Sequence, residues 1–179
     1  SFNGKPEKGA IYPTESAAGT AVFMKTSVWK AIHYEQEAWI DQFPAGTFGE
    51  DQLMYQKIIE NGYKLLMWYD SGVLHLDANS NKASQKTYDK IYYRAMAQYL
   101  TWHRCVYDLP RNTGMDRIID KWAYGYRFVL SCGVRSLYSV LRFSPRFLVA
   151  HIKGNIAARN FVKSKEYLSL PKFVLSTDE

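Results

Sequence analysis

Two carboxylates and an imidazole able to do chemistry fall within a short interval of this chain: Glu50 and Asp51 open an apolar helical pattern, and His75 stands two residues before Asp77. A carboxylate at the start of a helix has its anion favoured by the helix dipole, by about 0.3–1 kcal/mol at exposed sites. An ionised Asp51 suits the work of a general base, or of an ion ligand, better than that of a general acid. A neutral imidazole at His75 can ligate a metal, and Asp77, on the same side of a strand, would orient it. By type alone an Asp at a helix start is most often a structural cap, and a single His most often a hydrogen-bonded filler. It is their order along the chain that gives them weight.

The elements that must position these groups are readable around them. Gly46 and Gly49 precede the acidic pair, and Leu53, Met54, Ile58 and Ile59 recur at helical spacing, so a helix opens at or near Asp51. Asn61-Gly62 supplies the left-handed residue that stops it. Tyr63 to Tyr69 reads as a buried strand, Asp70-Ser71-Gly72 as a turn, and Val73 to Leu76 as a second short strand. This succession returns the chain to one rim of a sheet. Trp39, Phe43, Phe48, Trp68 and Tyr69 flank the acidic pair or end the neighbouring strand. An aromatic face beside carboxylates suits a sugar ring, and Trp39 and Trp68 are the candidates for contact with an acceptor.

The ordered set Gly19-Thr20-Ala21-Val22-Phe23-Met24-Lys25, Glu50-Asp51, Lys57, Gly62-Tyr63 and His75 resembles the second half of the catalytic domain of family 2 glycosyltransferases, the inverting sugar-nucleotide enzymes of the GT-A fold. The resemblance covers about residues 10 to 80. It implies that Asp51 is the base that deprotonates an acceptor hydroxyl, that Glu50 is its partner near the acceptor, and that His75 lies near the metal and the donor diphosphate. Lys57 falls where the family more often has Arg, and its point charge cannot repeat a bidentate Arg contact. The implied cofactor is a divalent metal, Mn or Mg, and the implied donor a nucleoside-diphosphate sugar. The acceptor would be a glycan or lipid-linked glycan, as in the hexosyl transfers of cell-envelope polysaccharide biosynthesis.

The family's Asp-x-Asp motif is absent from the chain, as is a Gly-rich phosphate loop. The expectation is therefore a helix-rich α+β fragment, inactive alone, whose nucleotide-binding half lies on a missing N-terminal part. Residues 1–82 would form the acceptor-side half of a GT-A α/β domain with few strands, and residues 83–179 a helical, basic C-terminal extension. The alternative is a non-catalytic α+β interaction domain, in which Asp51 is only a cap and the basic helices dock an acidic partner or a membrane.

With 47% hydrophobic and 16% aromatic content, 179 residues can bury the core of one or two compact units. The polar start SFNGKPEK, without an initiating Met or a signal sequence, reads as a frayed terminus or a cut through a longer protein. Cys105 and Cys132 are 27 residues apart and lack metal-ligand spacing, which points to a reducing, cytoplasmic setting. The net charge of +6 is unevenly spread. Residues 1 to 110 carry 11 Lys and Arg against 12 Asp and Glu, a balance of −1, whereas residues 111 to 179 carry 12 against 5, a balance of +7. Between Asp120 and Glu166 stand nine Lys or Arg and no acidic residue, a composition suited to an anionic partner.

From about Ser84 the pattern is helical. Tyr88, Ile91, Tyr92, Ala95, Tyr99 and Trp102 mark one face of a helix reaching Tyr107, with Pro110 ending it. A second stretch runs from Gly114 towards Arg142 with a break or bend expected near Gly133, and a third starts after Ser144-Pro145 and runs to Lys165. At about 100° per residue, Arg127, Arg135 and Arg142 fall on one side of the second stretch, and Leu130, Val134, Leu137 and Leu141 gather on another. Such a helix either packs its apolar side on the catalytic half with its arginines solvated, or lies peripherally on the anionic inner face of the cell membrane. No apolar run reaches the roughly 20 residues needed to span a bilayer. Nucleic acid is disfavoured as a partner, because the tyrosines concentrate where net charge is near zero and no binding motif occurs.

Overall fold

The computed structural model describes residues 7, 9–14, 22–44, 50–68, 87–141 and 144–174. His75, Asp77, Phe48, Tyr69 and the strand expected over Val73 to Leu76 lie outside the described residues. The fold is a helix-rich α+β arrangement, as the sequence predicts: six helices and a two-stranded antiparallel sheet are described. The chain divides into two compact units. The first comprises Ser1–Glu35, Glu50–Ala83 and Val174–Glu179, and the second Gln36–Gly49 and Ser84–Phe173.

In the first unit, β1 (Ile11–Thr14) pairs with β2 (Leu65–Trp68), and two helices, α1 (Thr26–Ile32) and α2 (Glu50–Glu60), are described beside them. Ile32, Tyr55 and Ile58 form its core, with Met24, Val28, Tyr34, Met54 and Leu65 packed against them. Helix α2 stops where Asn61-Gly62 predicts: Gly62 takes φ +83°, and the amides of Gly62 and Tyr63 donate to the carbonyls of Ile59 and Ile58. The following strand departs from expectation. It is shorter than Tyr63 to Tyr69 and is not buried, because its only described neighbour is β1 and one face of the pair stays open. Leu65 and Met67 turn inward, while Leu66 and Trp68 turn outward opposite Pro13 and Ile11.

A 3-10 stretch, Tyr34–Gln42, carries the chain into the second unit. The sequence division at 82/83 assigns this stretch to the first half, but from Gln36 onward its contacts lie with the helices. The Glu37 carboxylate accepts from Arg104 Nε at 3.1 Å and Nη2 at 2.8 Å, and from Trp39 Nε1 at 2.8 Å. Trp39 stacks on Phe161, with ring centroids 5.9 Å apart, and meets Tyr167 edge-on at 6.0 Å.

The helices of this unit are α3 (Thr87–Trp102), α4 (Gly114–Leu141), α5 (Arg146–Phe161) and the short α6 (Lys165–Leu168). Helix α3 continues into a single wider turn, His103–Tyr107, closed by the Asp108 amide donating to the His103 carbonyl. This turn places Arg104 and Cys105 inward. Helix α5 begins directly after Pro145, as the sequence indicates, but ends at Phe161; Ser164 then caps α6, its hydroxyl accepting from the Tyr167 amide.

Helices α3 and α5 form the closest packing of the unit. Ala150, Gly154 and Ala158 recur every four residues along α5, all buried, and a Cβ at Gly154 would collide with the Tyr92 carbonyl oxygen of α3. Helix α4 is continuous through Gly133, where the sequence suggests a break. A single glycine costs a helix only about 1 kcal/mol relative to alanine, and Ser136 Oγ bonding to the Cys132 carbonyl spans the position.

Two stability effects are expected. Arg104→Ala strands the Glu37 carboxylate in the interior and lowers unfolding free energy by about 3–5 kcal/mol, measurable by urea denaturation followed through tryptophan fluorescence. Gly154→Ala forces α3 and α5 apart and costs about 1–3 kcal/mol, read from the same transition; an unchanged midpoint would contradict the close approach.

Candidate functional site

Helix α2 presents Asp51 in its first turn, exposed to solvent, behind Glu50, the residue that opens the helix. Burial on two sides of α2 holds the helix in its unit, Leu53 on the side away from Asp51 and Tyr55 and Ile58 on its own side, so Asp51 is exposed by its place in the first turn. Tyr55 lies one helical turn after Asp51, the spacing at which side chains meet. Its hydroxyl is buried without a hydrogen-bond partner, and burial, with the Asp51 carboxylate adding to it, raises the phenol's pKa. A protonated phenol thus accompanies the carboxylate. Sequence reasoning passed over Tyr55, although its spacing of four from Asp51 was available.

Lys57 is fully buried and presents no surface to a diphosphate. It lies on the side of Leu53, half a helical turn from the equally buried Tyr55. Its charge is felt at Glu35, whose carboxyl is held low by its own backbone amide, then by His33 Nδ1 at 2.8 Å, with a smaller contribution from Lys57.

The two tryptophans have different fates. Trp39 is 7% exposed, enclosed by Phe43, Phe161 and Tyr167 with its indole N–H bonded to Glu37, so it is a core residue without an open face for a sugar. Trp68 is 55% exposed on the open side of the sheet, beside Ile11, Pro13 and Leu66. It retains the surface that ring stacking needs. Asp51 and Trp68 both belong to the first unit and Trp39 to the second.

Among the described residues no group of three or more His, Cys, Asp or Glu is arranged to hold a metal ion. The His75 assignment falls outside the described residues, so no geometry at a metal follows from this chain.

The second unit buries polar groups that sequence reasoning did not single out. His151 of α5 is 3% exposed, stacks on Phe128 of α4 at 5.6 Å, and has neither ring nitrogen hydrogen-bonded. Burial, then the nearby Arg135 charge, pushes its pKa down to about 4. Arg135 Nε and Ser139 Oγ on α4 are also buried without partners, and Ser139 lines an open groove of about 460 Å³ with Ser136, Ser144 and Leu148. Asn155, by contrast, is satisfied: its Oδ1 accepts from Tyr124 Oη at 2.8 Å and its Nδ2 donates to the His151 carbonyl at 3.0 Å.

No model of a known protein family matches this chain, and neither a curated protein nor a solved structure shows significant similarity to it.

A pH effect follows from His151. Its folded pKa lies below the ordinary value, so above about pH 6.5 both states hold it neutral, and as pH falls towards 4 the unfolded chain takes up a proton that the folded one does not. Stability contributed by this group is therefore full above pH 6.5 and lost progressively down to pH 4. His151→Leu is expected to flatten that part of the profile relative to the wild type in urea titrations across this range; parallel profiles would contradict the assignment.

Proposed function

We propose that this chain is the acceptor-side part of an inverting glycosyltransferase that moves a sugar from a nucleoside-diphosphate donor to a hydroxyl of a glycan or lipid-linked glycan. The reading rests on one observation: within a chain carrying the ordered family-like set, Asp51 stands exposed in the first turn of α2, on a helix held by buried side chains on two sides. Inversion requires a base on the side of the sugar opposite the leaving diphosphate, and an exposed carboxylate at a helix start meets that need. Asp51 accepts the proton of the acceptor hydroxyl as the oxygen forms its bond to the anomeric carbon and the bond to the diphosphate breaks. Glu50, its neighbour, is assigned to the acceptor's other hydroxyls.

Trp68 is assigned to stack on the acceptor ring, supported by its exposure beside the apolar strand face. Trp39 and Lys57 are left out of this surface because both are buried. A divalent cation, with His75 among its ligands, would neutralise the charge developing on the diphosphate. The enzyme is placed in the cytoplasm, at the inner face of the cell membrane. Among the described residues no helix is long and apolar enough to cross a membrane.

In the full-length enzyme Asp51→Asn is expected to lower sugar transfer by several orders of magnitude, about 10²–10⁴ being typical of a lost general base, with donor affinity little changed. Single-turnover transfer and donor titration separate the two effects. Near-normal turnover in that variant would refute the base assignment.

A further inference from the structure

Helix α4 packs with its polarity reversed. The edge it presents to the rest of its unit carries Tyr124, Phe128, Cys132, Arg135 and Ser139, fixed by Tyr124 stacking on Trp102 at 4.4 Å and bonding to Asn155. Its large aliphatic side chains face away. Trp122 is 75% exposed, Val134 69% and Leu141 70%, and Ile119, Val129 and Leu137 are exposed between them. At about 100° per residue the arc from Ile118 through Trp122 and Tyr126 to Leu141 covers roughly 140° of the helix and contains no charged residue. It runs the length of a 28-residue helix, about 42 Å at 1.5 Å per residue.

We infer that this arc is a membrane-docking face, on which α4 lies in the plane of an anionic bilayer with its apolar side among the acyl chains and its basic residues among the headgroups. Charge selects this occupant. Arg127, exposed beside the arc, belongs to the stretch between Asp120 and Glu166 that holds nine Lys or Arg and no acidic residue. An anionic surface complements that excess and draws it in. A second copy of the chain would oppose it with an identical excess. The width of the arc points the same way, since a helix-to-helix seam of the coiled-coil kind uses a narrower stripe than 140° or so. The length of α4 does not make it a membrane span, because Asp116, Arg117, Asp120, Lys121, Arg127 and Arg135 line its other side.

This sharpens the peripheral placement proposed above and rests on it only for location; vesicle binding is read without sugar transfer, so either reading can fail alone. The test is co-sedimentation of the chain with vesicles of phosphatidylcholine alone and of phosphatidylcholine mixed with phosphatidylglycerol. Recovery is expected with the anionic vesicles, weakening as salt near 0.5 M shortens the screening length to about 4 Å. The double substitution Trp122→Glu and Val129→Glu, at two exposed positions, should reduce partitioning by more than about tenfold. Arg127→Glu leaves the apolar arc intact and should lower binding to the anionic vesicles alone. Circular dichroism establishes that each variant retains its helices. Equal recovery with both vesicle types, or indifference to the double substitution, would overturn the inference. So would a stable dimer in sedimentation velocity that the same double substitution dissolves, which would assign the face to a second copy.

Discussion

The second unit depends on one buried ion pair. Arg104 reaches Glu37 through two hydrogen bonds and the Pro171 carbonyl through a third at 2.7 Å, while its guanidinium lies 5.5 Å from the centre of the Phe173 ring. Those contacts tie together three stretches far apart in sequence: the 3-10 stretch, the wide turn after α3, and the residues Pro171 to Phe173 after α6. Burying two charges is costly unless geometry and additional hydrogen bonds compensate. Here the fork of the guanidinium matches the carboxylate, and the Trp39 indole supplies a further donor to it. The wide turn is what directs Arg104 inward, so the departure from regular α-helical geometry and the ion pair are parts of one solution.

Around that anchor the unit is filled by aromatic rings and by small residues on different helices. Trp39, Phe43, Phe161 and Tyr167 enclose the 3-10 stretch. Tyr99, Trp102 and Tyr124 join α3 to α4. Where α3 meets α5 the opposite strategy applies, since Gly154 and its neighbouring alanines let two backbones approach. These contacts occupy the inward sides of α3 and α5. They leave α4 joined along one narrow, largely polar edge, which is why its aliphatic residues remain outside.

Much of the candidate site was legible because its signals are local. Asn61-Gly62 stops α2 through the backbone freedom of a glycine, and the apolar positions Leu53 and Ile58 that follow the acidic pair mark where α2 opens. Asp51 is exposed because it lies in the first turn, ahead of the buried positions. The fates of Lys57 and Trp39 were not legible. A lysine is most often exposed and a tryptophan is ambiguous, so only the surrounding packing determines whether either is enclosed. The openness of Trp68 depends equally on how many strands join β2, a matter of pairing at a distance.

The same division holds for the helices. Sequence periodicity by itself determined that the stretch from Gly114 towards Arg142 is helical and amphipathic, with cations gathered apart from its aliphatic side, though not that it runs unbroken through Gly133. It also determined the helix-rich α+β composition, the start of α5 at Pro145 and the placement of Asp51 at a helix opening. Periodicity records which residues share a side but not what that side touches. Only the tertiary structure decided that α4 turns its aliphatic side outward, that Trp39 belongs with the helices, and that Arg104 finds Glu37. Each of these is a contact between residues distant in the chain, and the free energy of such a contact depends on geometry that no local pattern carries.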